Sequence, residues 1–131
     1  MNAPLWIGER DALALHGWLQ ARHSGQAGLR DAAMLRTILE HPREHFAYAG
    51  AADIAELAAA YMAGIARNRP FTGGNARTGF LLGALFLELN GLRLTAPELE
   101  MAQALLALAS GRLTELGLAA FLAENVAAMP E

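Results

Sequence analysis

The chain has 131 residues, 54% of them hydrophobic and 18% charged, with a formal net charge of −3, which suits a single folded domain over residues 1–131 and excludes a disordered chain. The acidic balance excludes nucleic-acid binding over a broad basic face, so any anion site has to be local. With no cysteine and no lysine, all ten non-histidine cations being arginine, disulfides, thiolate chemistry, Schiff-base lysines and the lysine of a P-loop are all impossible.

The first residues, "MNAPLWIGERD", lack a basic stretch followed by an apolar core, so no secretory signal is expected. A first helix is read over Glu9–His23, with Leu13, Leu15, Trp18 and Leu19 near one face and the glycine-rich "HSGQAG" as its stop. His16 lies beside that stripe and is expected to be half-buried and hydrogen-bonded. Asp31 is placed to cap a second helix carrying Met34, Leu35, Ile38 and Leu39, which Pro42 should end or reset. Asp53 is placed to cap a third that runs to about Asn68, and Pro70 closes it.

A fourth helix is expected from Gly74 or Asn75 to Asn90, with Gly91 as the residue after its cap. It is apolar on nearly every side, from Phe80 to Leu89, which marks a helix at the centre of a core. That run, broken by Glu88, is too short to span a bilayer. Thr95 and Pro97 open a fifth helix, which "SGR" at Ser110–Arg112 ends, and Thr114 to about Val126 makes a sixth. No alternating pattern reaches five residues between turn signals. The expected fold is therefore all-α, a bundle of about six helices around a buried central one.

The stretch "NRPFTGGNARTGF", Asn68–Phe80, places a glycine-rich, arginine-flanked turn at the start of the fourth helix. The first turn of a helix offers backbone N–H groups without partners and a partial positive charge. Gly73 and Gly74 let the main chain approach a ligand, Asn75 can fix the turn, and Arg69 and Arg77 add fixed positive charge, which together make a phosphate site. The same spacing also fits a plain connection in which Asn75 or Thr72 caps the helix and both arginines face water.

Other candidates carry less. His41 and His45 are four apart, but the glutamate of the metalloprotease pattern is missing and Pro42 disturbs the turn, so no metal site is expected. Glu98, Glu100, Glu115 and Glu124 read as solvated faces or first-turn acids. Trp18, Phe46 and Tyr48 read as core aromatics.

"RPFTGGNART" resembles the central motif of the Fic/Doc family, His-Pro-Phe-x-Asp-Gly-Asn-x-Arg-Thr, with Pro70, Phe71, Gly74, Asn75, Arg77 and Thr78 matching in place. "ALHGWLQARHSGQAGLRDAAMLRTILEHPREHFAY", Ala14–Tyr48, and "FLELNGLRLTAPELE" are similar to the death-on-curing (Doc) branch. The resemblance implies a Fic fold, a bacterial and cytoplasmic setting, and transfer of a phosphoryl or nucleotidyl group from ATP or another nucleoside triphosphate to a protein hydroxyl. It implies a type II toxin acting on elongation factor Tu and arresting translation. It assigns Gly73, Gly74, Asn75, Ala76 and Arg77 to the nucleotide phosphates, Phe71 to anchoring the loop, and catalysis to position 69 with Asn75 and Arg77.

Three positions depart from the family pattern. Arg69 stands at the histidine base, and a guanidinium stays protonated and cannot accept a proton. Gly73 stands where an acid would hold Mg²⁺ and offers no carboxylate. Ala76 stands where a lysine is frequent. Phosphate binding can outlast these changes while turnover is impaired, either through an inactivating substitution at Arg69 or in a degenerate, purely binding member of the family. The family's inhibitory segment needs a Glu four residues after a Ser or Thr, and none of those residues here has one. Restraint is therefore expected from a second chain, a Phd-like antitoxin whose disordered C-terminal segment folds as a helix into a groove beside the motif.

Overall fold

The computed structural model describes residues 3–23, 25–49 and 53–130. Among them lie six helices: α1 (Glu9–Arg22), α2 (Ala32–Ala49), α3 (Ile54–Asn68), α4 (Asn75–Leu89), α5 (Glu98–Ala109) and α6 (Glu115–Glu124). Between and after them come two short strands, β1 (Leu92–Leu94) and β2 (Val126–Ala128), paired antiparallel with Leu92 opposite Ala128 and Leu94 opposite Val126. The fold is mostly helical, as expected. The ribbon was not foreseen, because strands of three residues are too short to show an alternating pattern. It also ends the sixth helix at Glu124 rather than Val126.

The caps follow the sequence closely. Asp53 accepts a hydrogen bond from the Ala55 amide at 3.2 Å and starts α3, while Gly91 takes φ +86° just after α4. Pro42 does not end α2. It falls on the buried stripe Leu35, Ile38, Leu39, Pro42, four positions of one helical face, so its packing against the core outweighs the amide hydrogen bond that the ring removes.

The central helix is α3 rather than α4. Residues Leu57–Ala63 of α3 are all buried, whereas Leu89 of α4 is exposed and Phe80, Leu81 and Leu85 are half-buried. Small side chains explain the difference. A Cβ on Gly83 would lie 2.5 Å from Met62 Cγ and 3.1 Å from the Ala58 carbonyl oxygen, so α4 packs backbone-close on the alanine-rich α3. α6 and α2 cover the remaining sides of α3.

At the amino end, Trp6 stacks on Phe86 and meets the edge of Phe46, so Phe46 joins the core margin. Trp18 and Tyr48 do not. Trp18 is 50% exposed with the Arg22 guanidinium 4.0 Å over its ring, and Tyr48 is almost wholly exposed. Both stand on outward faces of their helices.

Candidate anion site at the start of the fourth helix

The chain reverses between α3 and α4 in six residues, and two left-handed residues make the reversal. Arg69 has φ +51° and ψ 60°, and Gly74 has φ +68° and ψ 22°. Arg69 ends α3, its amide bonded to the Ile65 carbonyl oxygen at 3.1 Å. Gly74 takes the cap position of α4, where it has no side chain to give to the first-turn amides.

Asn75 holds the loop. Its side chain accepts from the Phe71 amide and donates to the Phe71 carbonyl oxygen, both at 3.0 Å, and the residue is buried. The amide group is thus used in fixing the turn, and only the main chain of Asn75 is left to meet a ligand. Phe71, 1% exposed, is driven into the core and stacks on His16 with ring centroids 3.9 Å apart.

His16 also shares a hydrogen bond of 3.1 Å between Nδ1 and Thr78 Oγ1, which joins α1 to the first turns of α4. It is fully buried, deeper than its place beside the stripe implied, and burial lowers its pKa. One turn on, Gln20 donates to the Gln26 carbonyl oxygen at 3.1 Å and lies between Gly25 and Gly74. His16 Nε2 and Gln20 Oε1 have no hydrogen-bond partner among the described residues.

A second layer presses on the loop from outside. The Thr72 amide donates to Gly28 O at 2.9 Å, and the Arg30 and Asp31 amides both donate to Pro70 O. The Arg30 guanidinium donates to Arg69 O at 2.7 Å and to Asn68 O at 2.8 Å. The reach of Arg30, the packing of Gln20 beside Gly74 and the stacking role of His16 carried no local signal in the sequence, since each of these partners is distant along the chain.

These constraints leave a cavity of about 250 Å³ lined by Ala66, Arg69, Gly74, Asn75, Ala76, Arg77 and Ala109. Five residues singled out from the sequence, Arg69, Gly74, Asn75, Ala76 and Arg77, therefore meet at one opening. Gly73 is not in the lining, and a Cβ there would meet only Gln20 Nε2, at 3.8 Å. Both arginines are exposed, and among the described residues neither forms an ion pair. No acid stands in the first turn of α4. The local field is accordingly positive: helix dipole, uncapped amides and two guanidinium groups point the same way.

The lining contains no carboxylate and no imidazole. It therefore gives Mg²⁺ no protein ligand of the usual kind, and the residues present do not fit the ion. Elsewhere, His45 pairs with Glu56 at 3.5 Å and its ring lies 6.5 Å from that of His41. Among the described residues no group of three His, Asp or Glu side chains could hold a metal. No helix among them is long and apolar enough to cross a membrane.

Fold and site together define a helical domain with an uncapped helix start framed by two arginines. The chain belongs to the Fic/DOC family, whose sequence model matches residues 6–87, from Trp6 through the motif to near the end of α4. Members of that family are typically AMPylating or related transferases. A search of curated proteins found no match to this chain.

Proposed function

We propose that this chain is a Doc-like member of the family that binds the phosphates of ATP or another nucleoside triphosphate at the start of α4, and that its own transfer chemistry is impaired. One observation carries the reading. Arg69, Arg77 and the uncapped first turn of α4 converge on a cavity whose lining holds neither a proton acceptor nor a carboxylate. The backbone amides of Asn75, Ala76 and Arg77 would take phosphate oxygens while the two guanidinium groups balance their charge. At about 250 Å³ the cavity is just below the usual range of about 300–1,000 Å³ for a whole small-molecule site. It suits a phosphate chain with the nucleoside left at the rim.

For group transfer a target hydroxyl has to lose its proton, and Arg69 cannot accept it. A non-catalytic binder is the second reading, favoured by the missing base and by Gly73 in place of the acid. Within the toxin reading, the hydroxyl belongs to elongation factor Tu, and restraint comes from a Phd-like antitoxin. Its C-terminal helix would lie in the groove lined by Leu15, Trp18, Leu81, Ala84, Leu85 and Glu88, between the two helices that carry His16 and Asn75.

Titration calorimetry with ATP, ADP and inorganic phosphate tests the site, and transfer of labelled phosphate or nucleotide in a bacterial lysate tests the chemistry. Binding by the natural chain, with transfer only after Arg69→His and Gly73→Asp, supports the toxin reading. Binding without transfer in the folded double variant leaves the binder. No binding of any of the three ligands refutes both readings.

A further inference from the structure

We propose that Arg30 is the positioning residue of this site: its guanidinium clamps the end of α3 and so sets the direction of the Arg69 side chain. The inference rests on the reading of the cavity as a phosphate site. Carbonyl groups at the end of a helix lack partners within it. Here the planar fork of Arg30 fills two of them at once, Nε to Arg69 O at 2.7 Å and Nη2 to Asn68 O at 2.8 Å. A cation at that end also complements the helix dipole. The main chain of the same residue adds a third tie, its amide bonding Pro70 O at 2.7 Å.

The clamp acts where the backbone is least comfortable. Arg69 is the one non-glycine residue with positive φ among the described residues, a conformation in which Cβ crowds the following carbonyl group. Such a residue persists only when its surroundings over-determine it. With both carbonyls held, the chain turns back toward α4, and Arg69 lines the same cavity as Gly74–Arg77. Arg30 is not in that lining, so its effect on a ligand passes through Arg69. A lysine would supply one point charge in place of two fixed donors and would replace it only in part.

The test has two readouts. Without any ligand, the one-bond coupling between Cα and its proton, which is smaller at positive than at negative φ, reports the sign of φ at Arg69 in labelled protein. Arg30→Ala should abolish the positive-φ value there while the α3 and α4 signals persist, and Arg30→Lys should retain it in part. An unchanged coupling in Arg30→Ala overturns the proposal. If Arg30→Ala does not fold, Arg30→Gln, which can still reach one carbonyl, is read in the same way.

With inorganic phosphate as ligand, Arg30→Ala and Arg69→Ala should each weaken binding about tenfold, and the double variant should be no weaker than Arg69→Ala by more than about twofold. Additive losses overturn the proposal, since they make Arg30 an independent contributor. A natural chain that binds neither phosphate nor ATP refutes the functional reading instead, and the coupling at Arg69 alone then decides the role of Arg30.

Discussion

Replacing Gly74 by alanine adds one methyl group at the most constrained point of the site. The residue has φ +68°, and left-handed backbone costs alanine about 1 kcal/mol relative to glycine. The new Cβ would also lie 2.3 Å from Gln20 Oε1 and 3.1 Å from its Cδ, so the glutamine has to move. Gln20 is 5% exposed and cannot swing freely into water. Displacing it breaks the bond from Nε2 to Gln26 O, worth about 1 kcal/mol, and disturbs the neighbouring packing. The sum is about 2–3 kcal/mol. For 131 residues, an unfolding entropy of about 2.1 cal/mol/K per residue converts this into a fall in Tm of about 7–11 °C. Calorimetric melting measures it. In a Gln20→Ala background the clash is gone and only the backbone part, about 4 °C, should remain. A Gly74→Ala protein melting within about 2 °C of the natural chain, or the same loss in both backgrounds, refutes the reasoning.

Arg77→Ala should weaken ATP binding about tenfold or more with little change in Tm, because the side chain is exposed and its contact with phosphate is charge-assisted; an unchanged Kd in calorimetry contradicts this. Asn75→Ala strands the buried amide and carbonyl of Phe71 together and should cost about 2–4 kcal/mol, read by chemical denaturation. Gly73→Asp should be nearly neutral, within about 0.5 kcal/mol, since the nearest group to the new Cβ is 3.8 Å away. His16 is held neutral by burial, so its folded pKa lies below the unfolded value of about 6.5. The unfolded chain then binds the extra proton first, and stability that is full above about pH 6.5 is lost as pH falls below it. Comparing Tm against pH for the natural chain and His16→Gln should show a shallower acid slope in the variant.

How much of this was legible depended on the range of the interaction. Caps and stops are written locally, and Asp53 and Gly91 fall where their side-chain chemistry demands. That Arg69, Gly74, Asn75, Ala76 and Arg77 meet at one opening was legible for the same reason, these residues being near neighbours in the chain. Apolarity misled where size mattered more. The leucines of α4 suggested the centre, yet the alanines of α3 hold it, because the glycines of α4 let two backbones approach. Pro42 looked like a stop until its place on the buried face of α2 outweighed its missing amide. Whatever needed a distant partner stayed unread: the β1–β2 ribbon, the stacking of His16 on Phe71 and the reach of Arg30 to the end of α3.

The residues around the loop divide by what folding demands of them. Asn75, Phe71, His16 and Gln20 are buried, and each is committed to a bond or a stack within the protein, so a change at any of them leaves a polar group stranded or a hole in the core. Positions 69 and 73 are different. The Arg69 side chain is exposed and only its backbone is clamped, while Gly73 has room for a side chain beside Gln20. The two positions to which the sequence resemblance assigns the base and the acid are thus among those whose side chains the fold leaves free. On the proposed reading, a loss of the chemistry would cost the scaffold almost nothing and would leave the first-turn amides of α4 in place. By the same logic restoring both side chains should disturb the fold little, which is why Arg69→His with Gly73→Asp is a fair test of function rather than of stability.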